Sequence, residues 1–231
     1  MSKLKNIMIT LAALVAMTSY SFAFEGLSIG TVYSDADFST SGSETTDADG
    51  GGTLQKTSTT KSGAAEYGSV FVEYTFAQGS TIGAELIPGD ADLGKGSRVQ
   101  AAAGAGAGGD AAGTINVSAT VSDHTTLYVE PTFMLNEKFG VYLKGGAAKV
   151  TVTPKYTETA DVIQSTYGSK DVYGVMTGIG AKYYMGNMFV KLEHVETEYG
   201  AYTFQSTTGD LNTITADIEQ EATRVALAYN F

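Results

Sequence analysis

The chain has 231 residues, with 28 Gly, 14 Tyr, 10 Phe and only 3 Pro, and it lacks both Cys and Trp. Two dozen aromatics with few charges exclude a disordered coil, and the absence of Cys excludes disulfides and sulfur-ligated zinc. With 2 His there is no histidine-rich metal centre, and a net charge of −11 excludes nucleic acid as a partner, since phosphate binding needs clustered Lys and Arg.

Residues 1–23 read as a secretory signal peptide. Lys3 and Lys5 form a basic start, Ile7 to Met17 is apolar, and Ser21-Phe22-Ala23 is a small-x-small cleavage site. Without that segment the chain keeps 12 basic and 25 acidic side chains, a net of −13. No later run approaches the eighteen or so apolar residues of a membrane helix.

From residue 24 onward the periodicity is two, the strand signature. Eight strands are predicted. The first spans about 24–38, with Leu27, Ile29, Thr31 and Tyr33 on one face, and the second spans about 65–77 with Val70, Val72, Tyr74 and Phe76. The third starts at Thr81 (Ile82, Ala84, Leu86), and the fourth ends at Met134 (Leu127, Val129, Pro131, Phe133). The fifth runs from Phe139 (Val141, Leu143) and the sixth spans about 171–185 (Tyr173, Val175, Thr177, Ile179, Ala181, Tyr183). The seventh starts at Met188 (Val190, Leu192), and the eighth is the C-terminus, with Thr223, Val225, Leu227, Tyr229 and Phe231.

Connections alternate between tight turns, at 77–80, 135–138 and 185–187, and long segments, at about 39–64, 89–112, 154–170 and 200–214. Three short and four long connections among eight strands describe an up-and-down barrel with both ends of the chain on the short-turn side. The opposite face of each strand separates a membrane barrel from a soluble, lipocalin-like one. It carries Glu73, Glu85, Glu130, Lys144, Lys182, Lys191, Glu193 and Arg224, four acids and four bases. Each lies within about three to seven residues of a short turn or of the C-terminus. At a rise of about 3.3 Å per residue they share one layer of roughly 15 Å. Such a layer is costly in a soluble core. It is tolerable inside a transmembrane barrel whose apolar face meets lipid. Arg224 is the expected central bridge, because its planar fork can engage two carboxylates.

The long connections hold few chemical signals. Asp47-Ala48-Asp49-Gly50 lacks the third carboxylate and distant Glu of a calcium loop, and the Ala101–Gly109 run lacks the Lys and Ser/Thr of a phosphate loop. Ser122 and His124 have the i, i+2 spacing of a nucleophile and its base, but Asp123 points the other way and no orienting carboxylate follows. No catalytic, cofactor or metal site is predicted, and His124 is expected near the interface or a loop.

The alternation through Val225, Leu227 and Tyr229 to a terminal Phe231 resembles the C-terminal assembly signal of bacterial outer-membrane barrels. With the segment TIGAELIPG at Thr81–Gly89, the leader and the strand count, residues 24–231 resemble the small barrels of the outer-membrane-protein-A-like and opacity-protein superfamily. The resemblance implies an all-β, eight-stranded antiparallel transmembrane barrel in the outer membrane, with both mature termini periplasmic, three periplasmic turns and four extracellular loops. It implies lipopolysaccharide or phospholipid as neighbours, and periplasmic chaperones and the barrel-assembly machinery as partners. The chain stops at the last strand, so the wall-binding domain of longer members is not expected. Two roles follow: a plugged barrel presenting its loops, or a narrow diffusion channel.

Overall fold

The computed structural model describes residues 25–46, 55–100, 113–159, 167–205 and 213–231. The predicted leader, the Asp47–Gly50 segment and the Ala101–Gly109 run lie outside the described residues. Among the described residues there is no helix, and the strand segments are β1 (Gly26–Thr46), β2 (Gln55–Thr75), β3 (Thr81–Ile87), β4 (Ala91–Gln100), β5 (Gly113–Glu130), β6 (Thr132–Met134), β7 (Phe139–Thr159), β8 (Lys170–Met185), β9 (Met188–Gln205) and β10 (Thr213–Asn230).

These ten segments make eight staves. Pro88 and Gly89, the latter at φ 90°, separate β3 from β4. Pro131, which cannot donate a ladder hydrogen bond, separates β5 from β6. Every stave pairs antiparallel with its neighbours, and β1 pairs with β10 to close the ring. Directly paired residues trace a path around the wall. It runs from Met188 through Tyr229, Ile29, Val72, Ala84, Leu127, Ala147 and Val175 to Glu198, returning to β9 ten residues further along. A shear of ten over eight strands, at the usual strand spacing and rise, tilts the strands by about 40°. An eight-strand barrel of this kind is filled by side chains.

The pleat sorts the residues. Outward positions near the short turns are apolar and exposed, among them Leu27, Ile29, Val72, Leu127, Leu143, Ile179, Leu192 and Leu227. Seven aromatics line this edge; Tyr74, Phe76, Phe133, Tyr183, Tyr229 and Phe231 are exposed and Phe139 is half-buried, while Tyr33 and Tyr173 sit higher. Two same-strand pairs, Tyr74–Phe76 and Tyr229–Phe231, meet edge to face with centroids 5.3 and 5.1 Å apart. Above this band the outer face turns acidic, at Asp35, Asp37, Glu66, Glu196 and Glu221. With the tilt above, the apolar band is about 25 Å tall, the height found in transmembrane barrels.

The strands run well past the expected loop boundaries. β1 and β2 are each 21 residues long, whereas a tilted strand crosses a bilayer in about 9–11. Much of 39–64, 154–170 and 200–214, expected as loop, is therefore paired strand, as is 91–100. The Ser, Thr and Gly that suggested loops are accommodated because their ladders continue the register set lower down, as in Ser43↔Thr215 and Thr45↔Lys56.

Candidate functional site

Inward positions form stacked layers. Nearest the short turns, Tyr184 and Phe189 pack with Ala228, and the same cluster climbs through Ala226, Phe71 and Val32 alongside the charges. The charges themselves stand above Tyr184 and Phe189. All eight predicted residues are buried, at 0–4% exposure, and the structure brings them into contact. Lys182 Nζ lies 3.3 Å from both Glu73 Oε1 and Glu130 Oε2. Lys191 Nζ donates to Glu73 and, at 2.8 Å, to Glu130 Oε2. Lys144 Nζ bridges Glu130 at 3.3 Å and Glu193 at 3.0 Å. Arg224 contacts Glu85 through Nη2, and its Nε lies 3.3 Å from Glu193 Oε1. Each base therefore touches two acids, and Glu130 touches three bases. Ser69 donates to Glu85 at 2.6 Å. From the tilt, the layer is about 11 Å deep.

Lys182 and Lys191 do not pair with Glu193, their neighbour at the same short turn. They face Glu73 and Glu130 across the lumen, because the tilt offsets neighbouring strands. Nor is Arg224 the central bridge that its fork suggested. Arg224 caps the upper side of the layer, bridging Glu85 and Glu193, while the centre belongs to Lys191, Lys182 and Glu130.

The sequence reading missed the aromatic cladding. Phe71, Tyr128, Tyr142, Tyr184 and Phe189 are buried with the charges. Tyr128 donates to Glu73 at 2.9 Å and Tyr142 to Glu193 at 2.8 Å. Lys144 Nζ lies 4.1 Å from the Tyr128 ring centroid, and Lys191 Nζ lies 5.0 Å from that of Phe71. The signal was present: each of these rings stands two residues from a charge on the same strand face, as in Phe71–Glu73, Tyr128–Glu130 and Lys191–Phe189.

Three of the five rings fit because a glycine faces them across the ladder: Gly30 opposite Phe71, Gly83 opposite Tyr128 and Gly180 opposite Tyr142. A Cβ on Gly180 would fall on the Tyr142 phenol. Gly180→Ala is therefore expected to tilt Tyr142 off Glu193 and cost about 1–3 kcal/mol as an overpacking change. Chemical unfolding of the refolded protein measures this. Tyr142→Ala added to Gly180→Ala should show strong non-additivity, and simple additivity would refute the contact.

Above the charges, Met176, Val195, Ala36 and Ala222 pack with Tyr128. Higher still, Val150, Val152, Val172, Tyr199 and Phe204 form an apolar cluster.

His124 is not at a loop or on the outer face. A register shift between Ser122 and Thr125, with Asp123 at φ 54°, breaks the i, i+2 relation. His124 turns inward, where its Nε2 lies 2.6 Å from the Tyr199 hydroxyl, and Ser122 bonds Asp123 instead. The other histidine forms an arrangement the sequence did not suggest. On the outer face, His194 Nδ1 lies 3.2 Å from Thr223 Oγ1, and its Nε2 lies 3.0 Å from Glu221 Oε1. Hydroxyl, imidazole and carboxylate are thus aligned, but Asp35 and Glu196 pair directly with Thr223 and Glu221. Carboxylates there oppose the negative charge that acyl transfer develops, where donors would be needed. Among the described residues no cluster of His, Asp and Glu is arranged to hold a metal ion.

An apolar outer band around a charged, ion-paired interior is the inverse of a soluble barrel, and it defines the class: an eight-stranded antiparallel transmembrane β-barrel of the outer-membrane type. No protein-family model matches the sequence, and no curated protein matches it either. Among solved structures, the chain is similar to OprG, an outer-membrane protein of Pseudomonas aeruginosa, at 10% identity and a TM-score of 0.47, covering 93% of this chain and 99% of that one. It is similar to the outer-membrane protease OmpT of Escherichia coli at 10% identity and a TM-score of 0.45, covering 92% and 99%. It is also similar to Ail, the attachment invasion locus protein of Yersinia pestis, at 13% identity and a TM-score of 0.34, covering 87% and 99%. These likenesses are of fold alone.

Proposed function

We propose that the protein is a non-enzymatic outer-membrane barrel whose lumen is closed by the ion-paired layer, and that it works through the tall rim opposite its termini. In this reading the short turns and both mature termini face the periplasm, and the tall end faces outward. The supporting observation is the closure of the interior. Eight buried charges sum to zero, each base contacts two acids, and aromatic and aliphatic layers lie below and above. An ion entering this layer must displace pairs already satisfied, which is unfavourable in a water-poor site.

Planar-bilayer recording of the purified, refolded protein tests the reading. A closed barrel shows no steady conductance. Steady single-channel currents would instead establish the diffusion-channel role.

Assembly supplies a second check. Phe231 is 72% exposed at the band's edge, and its backbone N donates to Leu27 O at 2.9 Å, tying the last residue to β1 at the closing seam. Deleting Phe231 should lower the fraction of compact, heat-modifiable protein on gels several-fold. An unchanged fraction would remove it from the assembly signal.

A further inference from the structure

The outer face of β9, β10, β1 and β2 changes character in tiers. The lowest tier is the apolar band, with Leu192, Val225, Ile29 and Val72. Next come rows of carboxylates paired directly across strands, such as Glu196, Glu221 and Asp37. Higher still the rows are hydroxyls. Thr203, Thr215, Ser43 and Ser58 are directly paired across all four strands, and one row below Ser41 pairs with Thr60 on one side and with Asp217 on the other. Thr203 Oγ1 and Thr215 Oγ1 lie 3.2 Å apart, so these hydroxyls share one face despite the bulge between Ala216 and Ile218.

From these tiers we infer that the hydroxyl rows dock the saccharide of an outer-leaflet glycolipid whose acyl chains lie on the apolar band beneath. The inference rests on the outward orientation of the tall end proposed above. The hydroxyl rows stand on the same outer face of the same four strands as the lipid-contacting band, above the carboxylate rows, so the lateral neighbour at that level is whatever projects from the lipid alongside. Height decides which lipid. Ser43 is eight residues beyond Asp35, about 20 Å higher at the strand tilt. A phospholipid headgroup region is only about 5–8 Å thick. A headgroup that extends as a sugar chain reaches the rows. The complete row of Thr203, Thr215, Ser43 and Ser58 presents hydroxyl donors and acceptors about 4.8 Å apart with no charge among them, while Asp217 lies beside Ser41 one row below and Lys56 beside Thr45 one row above. Uncharged hydroxyls edged by a carboxylate and an ammonium suit the hydroxyls of a sugar. The carboxylate rows lie between the two contacts, so phosphates on the glycolipid must be met there by mobile counter-ions.

The test uses the full-length protein in lipid nanodiscs of three compositions: phospholipid only, with lipopolysaccharide truncated to its lipid A anchor, and with lipopolysaccharide carrying its core sugars. The midpoint of heat-induced unfolding on gels is read in each. The core-bearing lipid should raise the parent's midpoint by about 3–6 °C over the truncated lipid. Ser43→Ala/Thr203→Val/Thr215→Val should abolish that increment while keeping the parent's midpoint in phospholipid; Thr215→Val alone serves if the triple variant folds poorly. Thr153→Val, on β7 away from the rows, should keep the increment. Equal midpoints for the parent in the two lipopolysaccharides would overturn the inference, as would an increment that survives the triple variant. A dimer trapped by oxidising Ser41→Cys, in place of the lipid effect, would assign the face to a second copy. Orientation is checked separately by maleimide labelling of Asn136→Cys in a short turn. Labelling on intact cells would refute the orientation itself, whereas labelling only after lysis leaves the midpoints to decide the docking.

Discussion

Replacing Arg224 by Ala is expected to destabilise the barrel by about 3–5 kcal/mol, the cost of leaving buried charge unpaired, and to open an ion leak that the parent lacks. Arg224 is 3% exposed and contacts two carboxylates, Glu85 and Glu193. Glu193 keeps Lys144 at 3.0 Å, so its loss is partial. Glu85 keeps Ser69, and among the described residues it has no second cation within ion-pair distance. The truncation therefore strands Glu85, just above the layer's centre. Water entering to solvate it lowers the energetic penalty and creates the leak, so the two readouts trade against each other. Arg224→Lys separates charge from geometry. A lysine can neutralise Glu85 but cannot span Glu193 with a planar fork, so it should recover part of the stability and stay closed. Urea unfolding in detergent or vesicles measures the first effect, and bilayer recording measures the second. A parent that conducts steadily, with Arg224→Ala unchanged in stability, would overturn the closed-barrel reading.

The charged set was legible because strand periodicity is strict. Once Val70, Val72 and Tyr74 face lipid, Glu73 has to face inward, and the same parity sends Lys182 inward opposite Tyr183 and Ile179. Which charges meet was less legible. Neighbours in sequence, such as Lys191 and Glu193, are not partners, because a shear of ten carries Glu73 and Glu130 to the level of Lys182 and Lys191. Shear depends on the register of every strand pair, and single-sequence periodicity carries no register. The interior rings were missed for a related reason. Phe71 and Tyr142 are apolar residues on the polar face, and only the cross-strand glycines, Gly30 and Gly180, explain how they fit. The loops were overestimated because Ser, Thr and Gly favour turns by local preference. In β1 and β2 long-range pairing overrides that preference, as at Ser39↔Ser62 and Gly42↔Thr59. The inward turn of His124 was not legible because a bulge reverses parity, and Asp123 gave no local sign of one.

An arginine on the lipid face should be nearly as damaging as its loss from the interior. Leu143 and Ile179 are directly paired on β7 and β8, exposed at 42% and 61%, near the middle of the apolar band. Leu143→Arg or Ile179→Arg places a guanidinium against hydrocarbon on an otherwise unaltered barrel, at a cost of about 2–4 kcal/mol near the midplane. The penalty should fall with height. Tyr173→Arg, far up the same face of β8 and beside the first charged residues, should cost about 1 kcal/mol or less. Lys144 gives the opposite control, one residue from Leu143 and facing inward. Lys144→Leu removes a cation that serves Glu130 and Glu193, so it should destabilise although it makes the chain more apolar. Together these variants test the pleat, because a slip of one residue exchanges the two faces. Refolding titrations into vesicles would then find Leu143→Arg tolerated, and that result would displace the barrel's register along β7 and with it every interior contact that β7 contributes.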